Sequence, residues 1–201
     1  MEQMQKALSH FQKILEEQMK RLETMDKPKK DFATMETVTI GVCGGDGIGP
    51  VITAQAARIL EYLLRDEIAA GKVVIKNIEG LTIENRLAVN QAVPEEVLAE
   101  IKTCDVLLKG PPTTPNGGTM GSANVTLRRE LDLYANVRPV SIPELGIDWL
   151  FYRENTEGEY VLGSKGIELP GRAVDFKVTT DAGTKRIARA AFDYAKQNGK
   201  T

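Results

Sequence analysis

The sequence predicts an α/β fold built on a parallel sheet and carrying an N-terminal helical extension. Three observations lead there. From Thr37 onward, short β-branched runs alternate with helix-patterned stretches, the pattern of strand–helix–strand units. Loops rich in Gly and Pro follow two of those runs, at Gly44–Pro50 and Lys109–Gly118. Residues 1–35 differ in kind, with no Gly, Pro28 as the only proline, and five of the chain's six Met.

In that first stretch Met1, Met4, Leu8, Phe11, Leu15, Leu22 and Met25 follow a 3-4 spacing broken only by Gln18, which predicts an amphipathic helix. Asp26 to Asp31 forms its stop and linker. Such a helix either docks on a partner or packs on its own protein, and Met35 leaves a later start codon as a third reading. His10, the only histidine, falls on the polar side and is expected to be solvated, which removes histidine triads and zinc sites from consideration.

Thr37 to Cys43 reads as a buried strand, because it is β-branched and bounded by glycine. A helix from about Val51 to Ile68 follows the glycine loop. Lys72 to Ile78 is a second strand, Pro94 opens a helix at its favoured first position, and Cys104 to Leu108 is a third strand. These elements imply a parallel sheet covered on both faces. Further strands are expected at Tyr134–Val140, Ile147–Tyr152 and Val174–Thr179, with a last helix from about Asp181 to Gln197.

Composition narrows the function classes. The chain has 201 residues, 42% hydrophobic and 27% charged, which excludes collagen-like, disordered and disulfide-scaffold proteins. Lys+Arg 26 against Asp+Glu 28 gives a net charge of -2, so no basic field favours nucleic acid or an anionic membrane. Cys43 and Cys104 sit at the edges of apolar runs and are expected to be free thiols of a reducing compartment. The absence of an 18-residue apolar stretch and of a secretory or transit pattern makes the expected location cytoplasmic.

Gly45, Gly47 and Gly49 give GxGxG rather than the GxGxxG of a dinucleotide fingerprint, and no acidic ribose ligand ends the second strand. By itself this loop reads as a tight strand-to-helix turn more readily than as a cofactor cradle. The Pro- and Gly-broken run after Lys109 leads into a helix carrying Ser122, Asn124 and Arg128; in open α/β sheets such carboxyl ends bind ligands. Ser122 is equally a helix N-cap. Arg128, Arg138 and Arg153 each lie on or at the end of a separate element. A guanidinium stays charged and pairs bidentately with carboxylates, so three of them would suit a substrate with several carboxylates. The alternative is structural pairing with Glu130, Asp132, Glu154 or Glu157. Tyr160, in a loop after Glu157-Gly158-Glu159, is a general acid or a packing residue.

Four motifs stand in order: GDGIGP at Gly45–Pro50, KGPPTTP at Lys109–Pro115, SANVTLRRELDLYANVRPV at Ser122–Val140 and RENTEGEY at Arg153–Tyr160. Through them the chain from about Thr37 to Thr201 resembles the decarboxylating β-hydroxyacid dehydrogenases, namely the isocitrate, isopropylmalate and homoisocitrate enzymes. The resemblance implies that Ser122 and Asn124 contact the substrate's distinguishing group. It makes Arg128, Arg138 and Arg153 the carboxylate clamp, and Tyr160 the acid that protonates the enol after CO2 leaves. Thr113 and Thr114 match positions near the substrate and the nicotinamide. Ser122 with Asn124 follows the isocitrate pattern, ahead of isopropylmalate, homoisocitrate or another 2-hydroxy diacid.

The implied reaction is NAD- or NADP-dependent oxidative decarboxylation of isocitrate, a step of the tricarboxylic acid cycle, assisted by Mg or Mn. The sequence departs from the family at Gly44 and Val51, which is expected to loosen the first turn. The family's catalytic lysine, metal-binding aspartates and adenosine loops match nothing up to Thr201, so the expected fold is incomplete and without metal ligands of its own. Residues 1–35 would be the helix and linker, 36–133 part of the large domain and 134–201 part of the small domain, with unmatched apolar faces exposed. Because the family's lysine comes from a neighbouring subunit, a homo-oligomer or a complementing chain is the expected partner. Two other readings follow: a carboxylate-binding or regulatory subunit without chemistry, and a truncated inactive product.

Overall fold

The computed structural model describes residues 2–23, 25, 30–115, 120–160 and 166–200. Its first element is helix α1 (Glu2–Leu22). The chain forms two compact units, one of residues 28–127 and one of residues 1–27 together with 128–201.

The first of these holds β1 (Val38–Cys43), α2 (Gly49–Leu63), α3 (Arg65–Ala69), β2 (Val73–Asn77), α4 (Ile83–Ala88), α5 (Glu95–Lys102) and β3 (Val106–Lys109). The three strands form a parallel sheet in the order β2-β1-β3, with the most buried strand at the centre. Register runs from Val38 opposite Val73 on one side and from Ile40 opposite Val106 on the other. Ile40, Val42 and Cys43 are buried with Ile78, Leu81, Val97 and Ile101. Burial pushes the Cys43 thiol up to about 11, and both cysteines are free. The sheet is not covered on both faces as expected, since Val74 and Val106 stay 46% and 42% exposed.

Two elements differ from the sequence reading. The helix expected over Val51 to Ile68 is interrupted at Leu64, whose φ of -103° and ψ of 15° end α2 before α3 begins. Helix α4 was not expected. The Thr82 side chain accepts the Asn85 N–H and caps it, and Glu84 lies in its first turn. Pro94 sits one position earlier than expected, as the N-cap of α5.

The first turn is not loosened by Gly44. Gly49 N–H donates to the Asp46 carbonyl and Asp46 N–H to the Pro111 carbonyl, both at 2.8 Å. A Cβ on Gly110 would lie 1.9 Å from the Gly44 carbonyl oxygen, and one on Gly45, where φ is +74°, would lie 2.6 Å from that of Pro111. The two glycine-rich loops therefore interlock backbone to backbone, a contact no side chain can yield to. Gly110→Ala is expected to destabilise the protein by about 3 kcal/mol or more. An unchanged urea midpoint would remove this account of the glycine.

Helix α6 (Ala123–Glu130) crosses the chain boundary between the units. In the second unit β4 (Ala135–Ile142) and β5 (Ile147–Glu154) form an antiparallel hairpin, β6 (Ile167–Leu169) and β7 (Arg172–Val174) a smaller one, and α7 (Asp181–Asn198) follows. Of the strand expected at Val174–Thr179, only Val174, which ends β7, and Val178, bridged to Gly158, pair with another segment. Its alternating Phe176 and Val178 pack against Ile14 of α1 instead of building a ladder.

That packing also corrects the apolar stripe. Ile14 is 3% exposed and Gln18 is buried, whereas Met4 and Leu8 are 70% and 55% exposed. Phe11 stacks on Phe176 with ring centroids 4.7 Å apart. The seated face of α1 thus follows Phe11, Ile14 and Gln18, at spacings of three and four. Helix α1 packs on its own unit. His10 is half-buried near Phe176 rather than solvated. Of the expected linker, residues 26–29 lie outside the described residues, as do residues 116–118 of the loop after β3.

Candidate active site

The carboxyl ends of β1 and β3 carry the two interlocked loops. Asp46 is buried between them. One of its carboxylate oxygens accepts the Ile83 N–H at 2.7 Å and the other accepts the Thr113 N–H at 2.6 Å. From α4, the wholly buried Arg86 donates Nε to the Ala92 carbonyl at 2.8 Å and Nη1 to the Thr113 carbonyl at 2.6 Å. Its Nη1 lies 3.9 Å from Asp46 Oδ2, and its Nη2 reaches Met120 Sδ at 3.7 Å. Burial pulls the Arg86 guanidinium below its ordinary value, and Asp46 opposes that shift.

Thr113 and Thr114, the residues expected near the nicotinamide, are exposed at this end. The adjoining cavity, lined by Gly44, Gly45, Thr53, Glu79 and Thr82, measures about 280 Å³. Neither Thr113 nor Thr114 lines this cavity. Ser122, half-buried, immediately precedes α6, and its carbonyl accepts the Thr126 N–H at 3.0 Å, the position of an N-cap. Asn124 lies in the first turn of α6. Arg128 lies four residues later, so the two share a face of one helix.

The second unit brings three expected site residues together. In the β4–β5 hairpin, Arg153 is directly opposite Asn136. Arg138 is two residues from Asn136 and donates Nε to its side-chain oxygen at 3.1 Å, so both arginines stand on one face of the ribbon. The Arg153 guanidinium lies over the Tyr160 ring, 5.0 Å from its centroid, a cation–π contact that fixes ring and cation together. A cavity of about 290 Å³ opens here, lined by Arg153, Tyr160, Lys177, Thr179 and Glu159 among others.

Three of the acids offered as structural partners, Asp132, Glu154 and Glu157, are engaged by other groups. Arg186 of α7 grips Asp132 bidentately at 2.8 and 3.0 Å, donates to Thr156 at 2.8 Å and lies over the Tyr134 ring. Glu154 accepts from the Thr156 hydroxyl and backbone N–H. Glu157, 4% exposed, accepts from Thr180 N–H at 2.8 Å and Thr180 Oγ1 at 2.6 Å, and pairs with Arg21 of α1. Thr180 caps α7, so the Glu157 carboxylate sits at that helix's N-terminus. Gly183 leaves it room, since a Cβ there would lie 2.2 Å from the carboxyl carbon.

Burial raises the Glu157 carboxyl, but the Thr180 bonds and Arg21 outweigh it and hold the group below the ordinary value of 4.5. A depressed carboxyl stabilises the fold fully above its unfolded-state value, and that stability is lost as pH falls through the folded value. Glu157→Gln is expected to cost about 1–3 kcal/mol at pH 7 and to flatten the loss of stability below pH 4.5. Urea unfolding between pH 3 and 7 reads both; an acid limb as steep as that of the unaltered protein would refute the assignment.

Among the described residues, no three His, Cys, Asp or Glu side chains form a group able to hold a metal ion. Nor is any described helix long and apolar enough to cross a membrane. The residues sequence reasoning missed are Asp46, Arg86, Lys177 and Arg186, while Glu157, offered as a structural partner of Arg128, Arg138 or Arg153, pairs with Arg21. Gly183 was the available signal for Glu157, because a glycine in a helix's first turn costs about 1 kcal/mol against alanine unless something needs the space.

A family model described as isocitrate/isopropylmalate dehydrogenase matches residues 39–201. The mitochondrial isocitrate dehydrogenase [NAD] regulatory subunit 3 of Arabidopsis thaliana is 36% identical over 171 residues, covering 81% of this chain and 42% of its own length. The isocitrate dehydrogenase [NADP] of Thermus thermophilus is 35% identical, over 80% of this chain and 33% of its own. The crystal structure of isocitrate dehydrogenase from Methylococcus capsulatus superposes with a TM-score of 0.65 at 32% identity, over 82% of this chain and 49% of that one. The chain therefore spans less than half the length of these relatives.

Proposed function

Because the chain belongs to the isocitrate/isopropylmalate dehydrogenase family of decarboxylating oxidoreductases, we propose that it forms part of an enzyme converting isocitrate to 2-oxoglutarate and CO2. The observation that carries this reading is the grouping of Arg138, Arg153 and Tyr160 on one side of the β4–β5 hairpin. A permanent cation on a phenol ring, with a second on the same ribbon face, suits a substrate with several carboxylates that must be protonated after one of them leaves.

Arg138 and Arg153 bind and orient the carboxylates, with Arg128 as the third member of the clamp. Ser122 and Asn124 offer hydrogen bonds to the group that distinguishes isocitrate from isopropylmalate, whose apolar branch would leave them unpaired. Thr113 and Thr114 would hold NAD or NADP, which when bound would supply the acceptor for the hydride of the carbon bearing the 2-hydroxyl, the hydroxyl proton leaving to solvent. As the carboxylate β to the resulting ketone departs as CO2, its bonding electrons pass into an enolate, and Tyr160 delivers the proton to carbon. The described residues offer no donor set for the Mg or Mn that the resemblance implies, and no step is routed through it.

In this proposal residues 36–133 belong to the large domain and 134–201 to the small one, assembled with further copies or a complementing chain. Two free cysteines fit a reducing compartment, such as the cytoplasm or the mitochondrial setting named for the A. thaliana relative. A second reading, a regulatory subunit that binds isocitrate without turnover, is favoured by that relative's designation as regulatory. The test is formation of reduced nucleotide and CO2 by the protein that carries this chain, in its native assembly, with isocitrate, isopropylmalate and homoisocitrate. Isocitrate turnover that disappears when these subunits are altered supports the catalytic reading. Assembly activity that survives alteration of Tyr160 supports the regulatory one.

A further inference from the structure

Thr113 is held by both of its backbone polar groups. Its N–H donates to the Asp46 carboxylate and its carbonyl accepts from Arg86, both at 2.6 Å. Neither partner is nearby in sequence: Asp46 comes from the turn after β1 and Arg86 from α4. The loop between β3 and α6 has no regular hydrogen bonding of its own over 110–115, so these side chains define where Thr113 stands. Asp46 also accepts the Ile83 N–H at the start of α4, the helix that carries Arg86. Turn, helix and loop are thereby closed into one circuit.

The chemistry of Arg86 is unusual for a purely structural residue. A guanidinium with no exposed surface faces two neutral carbonyls, a thioether and a carboxylate at 3.9 Å. Burying a charge with one distant counter-charge is expensive, and an apolar side chain would fill the space at lower cost. What the fork supplies is direction, since two of its nitrogens reach carbonyls 21 residues apart, those of Ala92 and Thr113, at fixed angles. We propose that Arg86, acting with Asp46, is a positioning residue that sets the Thr113–Thr114 backbone for the nicotinamide nucleotide, and does so without touching substrate. This rests on the reading of Thr113 and Thr114 as nucleotide contacts.

The test uses Arg86→Lys and Arg86→Met in the protein that carries this chain. A lysine keeps the charge but lacks the fork, so it cannot hold both carbonyls. Folded Arg86→Lys enzyme is expected to show a nucleotide KM raised at least tenfold, with isocitrate KM within twofold. A merely structural role would reduce the folded fraction and leave both constants of the folded fraction unchanged. Amide exchange supplies a readout independent of turnover: the Thr113 N–H should exchange at least tenfold faster in both variants, while β1 amides keep their protection. Equal shifts in the two KM values, unchanged values in folded protein, or unchanged Thr113 exchange would each overturn the proposal. Faster Thr113 exchange in a protein whose unaltered form shows no saturable NAD or NADP binding would leave the positioning intact and refute the nucleotide reading.

Discussion

Tyr160→Phe is expected to lower kcat for isocitrate oxidation by about 10²- to 10³-fold and to change isocitrate KM only a few-fold. The substitution deletes one oxygen and keeps the ring, so the face presented to the Arg153 guanidinium at 5.0 Å survives. In the proposed reaction what is lost is the proton that follows CO2 departure, and a positioned general acid contributes about 10²- to 10⁴-fold. The loss should fall on turnover because that proton is needed only as charge develops on the enol. Steady-state kinetics decide it. A variant with unchanged kcat would reduce Tyr160 to packing, and one with only KM raised would make it a substrate contact.

Arg153→Gln carries the second large effect, an expected fall of about 10²- to 10³-fold in kcat/KM. Glutamine retains hydrogen bonding but loses the charge, and truncating one side of a hydrogen-bonded charge pair costs about 2–5 kcal/mol. The Tyr160 ring also loses the cation that orients it, so kcat should fall as well as KM rise. Arg153→Lys should recover only part of the loss, because an ammonium restores the charge without the planar fork. Full recovery by lysine would show that charge alone matters. A kcat/KM within threefold in Arg153→Gln would place the carboxylate clamp elsewhere.

The central strand was legible in the sequence because a β-branched run bounded by glycines has few alternatives, and β1 begins at Val38 within the expected stretch. The stretch from Val174 misled for a related reason. Alternation of Val174, Phe176 and Val178 satisfies a strand pattern equally well when two of those side chains pack on a helix. On α1 the methionines and leucines drew a stripe by spacing, yet Gln18 is seated while Met4 is not, because the partner surface selects the face.

The candidate site residues and their order are read off the sequence, whereas which of them share a face is not. That Arg138 and Arg153 share a ribbon face depends on hairpin register, with Asn136 opposite Arg153. The supports were least visible of all. Arg86 lies 27 residues from Thr113, and Arg186 lies 54 from Asp132, so no local spacing announces either contact.

The central claim is that the side chains of this chain hold a substrate with several carboxylates and reject an apolar branch. Calorimetric titration of the native assembly with isocitrate and with isopropylmalate tests it most directly. Saturable isocitrate binding at least tenfold tighter than isopropylmalate is the predicted result; isopropylmalate binding as tightly, or neither acid binding, would contradict the account.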